Sequence, residues 1–164
     1  EVDMLAHGFF WRHPEIETVV MRPVHVVGPS IKNAPSNYLR LQRPMTLAGF
    51  DPMVQLIHMN DVALALVEAL KPGRKGVYNL VGPGEVPLSA IFDELKHRPI
   101  SVPHIVARPL LSRLFKMRLA SYPPEELDHI QFLCMVDGER WRKTGWQPSF
   151  SMRETIRGVL SDLS

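Results

Sequence analysis

The run Val54-Gln55-Leu56-Ile57-His58 leads, across Met59 alone, into Asn60-Asp61-Val62-Ala63-Leu64-Ala65-Leu66-Val67-Glu68-Ala69-Leu70. The first segment is short, apolar and rich in residues that pack on a pleated surface, so it reads as a buried strand. The second is built from good helix formers; Asn60 or Asp61 stands where a cap belongs, and Pro72-Gly73 stops it. A strand that runs straight into a helix restricts the chain to folds in which helices cover a sheet.

The alternation recurs along the sequence. Thr18-Val19-Val20-Met21 leads to Arg22-Pro23, and Val24 to Val27 continues the strand to a Gly28-Pro29 turn. Gly76-Val77-Tyr78-Asn79-Leu80-Val81-Gly82 is a strand between glycines, and residues 99–102 form one more. Helices are expected over residues 2–12, ended by His13-Pro14, over 36–42 with Ser36 as the cap, and over 87–96. Further helices are expected around 107–116, 124–133, 138–144 and 151–162, forming a helical lobe. Strands alternating with helices predict an α/β fold with a few parallel strands.

Composition narrows the function classes. With 19 basic and 17 acidic residues the chain carries a net charge of +2, and its Lys and Arg form no stripe suited to a nucleic acid. No apolar stretch approaches the roughly 20 residues that span a bilayer. The single cysteine, Cys134, leaves no intrachain disulfide, fits a reducing compartment and, within Phe132-Leu133-Cys134-Met135-Val136, reads as a buried inert thiol. A cytoplasmic location is the resulting expectation. His7, His13, His97, His104 and His129 show no mutual spacing suited to a metal.

Four segments in order carry a family resemblance. They are the strand with Arg22-Pro23 and Gly28-Pro29, then Ile57-His58-Met59-Asn60-Asp61-Val62-Ala63, then Gly76-Val77-Tyr78-Asn79-Leu80-Val81-Gly82, then Thr144-Gly145-Trp146-Gln147-Pro148. Together they resemble the extended short-chain dehydrogenase/reductase family, above all its NAD-dependent nucleotide-sugar epimerases and dehydratases such as UDP-glucose 4-epimerase. The resemblance implies a Rossmann-type fold of which this chain is the C-terminal part. Residues 1–29 and 54–70 would belong to the end of the dinucleotide-binding sheet, and the rest to a mostly helical substrate-binding lobe. It implies NAD as cofactor. It also implies that the catalytic Tyr and Lys and the glycine-rich phosphate loop precede Glu1, with residues 2–12 continuing the helix that follows the Tyr and Lys. No catalytic residue is then expected in this chain, which alone would be inactive.

By the same resemblance Pro23, Val24 and Val26 flank the nicotinamide. His25 stands where many members carry an Asn that points at the substrate; a satisfied core histidine is the other reading. His58 reads as structural, Asp61 as an N-cap stabilising by about 1 kcal/mol, and Trp146 as the anchor of the last helix. Tyr38, Leu47 and Gln55 are candidate substrate contacts, with Phe50 beside them. Family members often place an Arg for the substrate diphosphate where this chain has Val54; Arg108, Arg113 or Arg118 would have to replace it. That departure keeps two alternatives open: a related NAD(P)-dependent oxidoreductase acting on a sterol-like or other apolar alcohol, and a non-catalytic NAD-binding or sensing protein. The partner expected is a small-molecule substrate, possibly a nucleotide sugar. Open edges on strands 18–27, 54–58 and 100–102 further predict self-association or pairing with the other half of the fold.

Overall fold

The computed structural model describes residues 2–103, 105 and 135–160. The helices expected around 107–116 and 124–133 lie outside the described residues, as do Cys134, Arg108, Arg113, Arg118, His104, His129 and the side chain of His7.

Helix α1 (Val2–Arg12) precedes strands β1 (Val19–Pro23) and β2 (His25–Val27). Helix α2 (Ala34–Leu39), β3 (Met45–Leu47), β4 (Met53–His58) and α3 (Met59–Ala69) follow. Next come β5 (Gly76–Leu80), β6 (Glu85–Pro87), α4 (Leu88–Leu95) and β7 (Ile100–Val102), then α5 (Glu139–Arg142) and α6 (Met152–Arg157).

The strand expected over 18–27 is bent at Val24, and its two parts pair differently. β1 runs parallel to β5, with Arg22 opposite Asn79 and Pro23 opposite Leu80. β2 runs parallel to β4, with His25 opposite Leu56. The Val24 amide donates to Leu80 O at 3.0 Å, so the bend stays attached to β5.

β4 pairs in parallel with β2 along Leu56–His58 and antiparallel with β6 along Met53–Gln55. β3 and β6, three residues each, lacked a sequence signal; β3 exists through parallel pairing to β7.

Alternation along β4 divides the core. Val54 and Leu56 enter a cluster with Val27, Phe92 and Ile91, whereas Ile57 enters a second with Tyr78, Leu80, Trp141 and Trp146. Both faces are covered, which is why the strand reads as an unbroken apolar run. Leu56 and Ile57 are fully buried, each stabilising by roughly 2 kcal/mol. Ile156 of α6 and Val159 just beyond it join this same core.

Capping differs from expectation at two helices. At α2 the cap is Asn33, whose Oδ1 accepts from the Ser36 amide at 2.8 Å, while Ser36 itself is buried inside the helix. At α3 the cap is His58, whose Nδ1 accepts from the Asn60 amide at 3.2 Å. Asp61 is fully buried and accepts instead from the amides of Ser149 and Phe150, at 2.8 and 3.3 Å. This carboxylate, rather than Trp146, ties the entry of α6 to α3; Trp146 packs with Trp141 and Ala65. At α4 the aspartate of a distant loop does the capping: Asp51 accepts from the amide and the hydroxyl of Ser89, at 2.9 and 2.6 Å. Ser151 and Glu154 form a capping box at α6.

Candidate substrate cavity

A cavity of about 500 Å³ opens where the β1–β5 pair ends and β2 and β4 begin. The bend contributes Pro23, Val24 and His25, and the strand ends beside it contribute Arg22 and Asn79. Met53 and Gln55 come from β4, and Val136 closes the wall. Register explains the placement. Arg22 and Asn79 are paired across β1 and β5, while their neighbours Met21 and Tyr78 turn the other way into the second core cluster. Crevices at the carboxyl ends of parallel strands are where open α/β sheets bind ligands.

Segment 135–138 is held against the strands by two carboxamides. Gln55 Nε2 donates to Val136 O at 3.1 Å, and the Val136 amide donates to Gln55 Oε1 at 3.0 Å. Asn79 Nδ2 donates to Asp137 O at 3.0 Å. The seam beneath admits no side chain: a Cβ on Gly82 would lie 2.0 Å from Leu56 O, and one on Gly138 would lie 2.8 Å from Val81 Cγ2.

Of the residues expected at a site, Pro23, Val24, His25 and Gln55 come together here. Gln55 lines the cavity with both ends of its amide engaged by Val136. Val26 lies one step beyond, its carbonyl accepting from Asn33 Nδ2 at 2.8 Å. Tyr38 and Leu47 are placed elsewhere. The Tyr38 hydroxyl donates to Met45 O at 2.7 Å and its ring meets Phe92 edge-on, while Leu47 packs with Val102 and Met45. Phe50, near them in sequence, is exposed. Arg22, Met53, Asn79 and Val136 escaped the sequence reading. The strand alternation that buries Tyr78 and turns Asn79 outward was the available signal for one of them.

Arg22 is the one charged residue among the described lining, which includes no carboxylate. Burial pushes the His25 pKa below the ordinary histidine value of 6.5, so the ring is neutral at physiological pH and offers one donor and one acceptor. His58 lies away from the cavity, stacked on Phe150 with ring centroids 3.9 Å apart, which fits a structural part. Its pKa is also lowered, by burial, against the opposing pull of Asp61 and Glu154. Pro23, Val24, Met53 and Val136 supply apolar surface. The described lining holds no Tyr or Lys, so its side chains can bind and orient a ligand but offer no tyrosine base.

Among the described residues, no group of three or more His, Cys, Asp or Glu could hold a metal, and no helix is long and apolar enough to cross a membrane.

No family model matches the chain. A protein of Mycobacterium tuberculosis H37Rv that is described as uncharacterized is 26% identical over 146 residues, covering 88% of this chain and 39% of that protein. The UDP-glucose 4-epimerase of Thermus thermophilus, solved with NAD, superposes with a TM-score of 0.64 at 15% identity, covering 98% of this chain and 50% of that one. The dTDP-glucose 4,6-dehydratase of Bacillus anthracis, also solved with NAD, gives 0.63 at 15% identity, covering 96% and 48%. The chain has the α/β fold of part of such enzymes, a partial Rossmann-type sheet with its helices. It spans about half the length of these structures and a smaller share of the mycobacterial relative.

Proposed function

We propose that this chain is the C-terminal, substrate-binding part of an NAD-dependent nucleotide-sugar epimerase/dehydratase-like enzyme of the extended short-chain dehydrogenase/reductase family. One observation carries the reading. The Arg22-Pro23-Val24-His25 stretch bends across the ends of two strand pairs and lines a cavity with Gln55, bringing together four of the residues expected at nicotinamide and substrate: Pro23, Val24, His25 and Gln55. The fold shared with a 4-epimerase and a 4,6-dehydratase supports it.

Pro23 and Val24 give an apolar surface against which a flat ring can lie, and they fit the nicotinamide end of NAD. NAD, when bound, supplies the oxidation and reduction of a hydroxyl-bearing substrate carbon. The sequence holds no glycine-rich loop for the pyrophosphate, so the rest of the cofactor site, with the Tyr and Lys, belongs to the part of the enzyme that would precede Glu1. The chain alone is then inactive. Asn33 fixes the backbone behind the bend through Val26 O. The neutral His25 ring hydrogen-bonds a substrate hydroxyl and orients it. We place the enzyme in the cytoplasm, as the lone cysteine suggests.

One feature favours the related NAD(P)-dependent oxidoreductase acting on an apolar alcohol. Val54, where the resemblance expects a diphosphate-binding Arg, is buried in the core, and Met53 lines the cavity instead.

Calorimetric titration of the full-length protein with NAD, then with UDP-glucose and dTDP-glucose on the NAD complex, tests the choice. Saturable binding of NAD and of one sugar nucleotide is expected. NAD binding without any sugar nucleotide binding transfers the assignment to the apolar alcohol, and a protein that binds no NAD ends both readings.

A further inference from the structure

We propose that Asn79 is a second substrate-binding residue beside His25, its Oδ1 accepting from a ligand hydroxyl, so that the cavity selects a ring carrying several hydroxyls over an apolar alcohol. The inference rests on the substrate-cavity reading above and names the class of group that the cavity recognises.

The polar side chains of the described lining are Arg22, His25, Gln55 and Asn79. Arg22 is already engaged within the protein, and Gln55 spends both ends of its amide on Val136. Asn79 has capacity left. A carboxamide carries two N–H donors and an oxygen with two acceptor sites. Asn79 commits Nδ2 to Asp137 O at 3.0 Å, and its Oδ1 accepts from no described residue. That one bond restrains the planar group: the nitrogen is turned to segment 135–138, and the oxygen diverges from it at the same carbon. The acceptor is held before a ligand arrives, which spares the cost of ordering it.

His25 supplies the second point. No described residue hydrogen-bonds its ring, and burial alone shifts its pKa, so one donor and one acceptor remain for a ligand. Only Pro23 and Val24 stand between His25 and Arg22, the register partner of Asn79, so roughly 10 Å of strand at most sets the two apart. Groups at that spacing bracket a body the size of a sugar ring, and a cavity of about 500 Å³ holds one. The C–H faces of such a ring fit Val24 and Met53, while its hydroxyls meet the pair. A ligand with no hydroxyl to give strands the Asn79 oxygen, the penalty by which a polar site rejects an apolar analogue.

The test uses the full-length protein in the presence of NAD. Its probes are UDP-glucose, the monodeoxy analogues that each lack one sugar hydroxyl, and deoxycholate as the apolar alcohol. Calorimetry gives affinities for wild type, Asn79→Leu and His25→Phe. Wild type is expected to bind UDP-glucose and to bind two of the analogues about fivefold or more weakly. Asn79→Leu should weaken UDP-glucose by the same factor and no longer distinguish it from one of those two. His25→Phe should do so for the other. The proposal is overturned if wild type binds none of the sugars, prefers deoxycholate, or binds every analogue as it binds UDP-glucose. Those wild-type comparisons decide even where Asn79→Leu does not fold. It is also overturned if Asn79→Leu weakens no sugar, or weakens all of them alike, the mark of a residue that acts only through Asp137. NAD affinity of the wild type is read separately. Sugar binding without NAD binding ends the enzyme reading and leaves Asn79 in its role, whereas NAD binding without sugar binding removes that role and leaves the enzyme.

Discussion

Gln55 and Val136, 81 residues apart, exchange two hydrogen bonds, the side-chain amide giving one to the backbone carbonyl and taking one from the backbone amide. A carboxamide matched in this way to one peptide unit imitates a step of strand pairing. It fastens segment 135–138 to β4 with no strand there.

Gln55→Leu removes both bonds and leaves a part-buried N–H and C=O without partners. The cost should be about 2 kcal/mol or more in urea unfolding, since each stranded backbone group costs ~1–3 kcal/mol. Gln55→Glu keeps an acceptor for the Val136 amide and should cost less. Equal stability of Gln55→Leu and wild type would show that the clasp holds nothing.

Asp61 receives the amides of Ser149 and Phe150 in full burial. Asp61→Ala should therefore destabilise by about 2–4 kcal/mol, well above the ~1 kcal/mol of an exposed N-cap. Chemical denaturation of the variant decides between the two values.

Arg40 donates to three backbone carbonyls: Val159 O at 3.0 Å, Ile31 O at 2.6 Å and Gly28 O at 3.1 Å. A lysine carries a point charge without the planar fork. Arg40→Lys should cost about 1–3 kcal/mol in the same assay, with hydrogen exchange accelerating around residues 28–31.

His58 links stability to pH. Its folded pKa lies below 6.5 because burial disfavours the charged ring. Below the unfolded value the unfolded chain binds the proton more readily, so the stability contributed is complete above about 6.5 and is lost as pH falls toward the folded value. His25 acts in the same direction. Urea melts from neutral pH into the acid range should show falling stability, and His58→Gln should flatten part of the slope. An unchanged slope in that variant would assign the linkage elsewhere.

Apolar surface remains uncovered on two helices: Met4, Leu5 and Trp11 of α1, and Leu66 and Val67 of α3. β1 has β5 as its one strand partner among the described residues. Sedimentation should show association, through a second copy or the remainder of the enzyme, that weakens in Trp11→Asp. A chain that is monomeric at every concentration contradicts this expectation.

The strands and helix with strong local signals, Val54 to Leu70 and Gly76 to Gly82, were legible because both faces of β4 are buried and α3 is a good helix former throughout. β3 and β6 were not, since three residues form a strand only when a distant partner supplies the bonds. Asp61 had the right residue type for a cap, but its partners lie 88 and 89 positions away, beyond any local pattern. At the cavity, Pro23, Val24 and His25 share one short stretch and were found together. Val136 reaches it only through the Gln55 clasp, and Tyr38 and Leu47 follow Phe92 and Val102 away from it.

On the proposed function, the substrate lies beside His25 in the cavity at the bend, next to a nicotinamide on Pro23 and Val24. Amide NMR of the isotopically labelled full-length protein with NAD, titrated with UDP-glucose and separately with deoxycholate, tests it most directly. Saturable shifts are expected to concentrate at Arg22, Val24, His25, Asn79 and Val136 with one of the two ligands. Saturable shifts that leave these amides unmoved and gather elsewhere would contradict it.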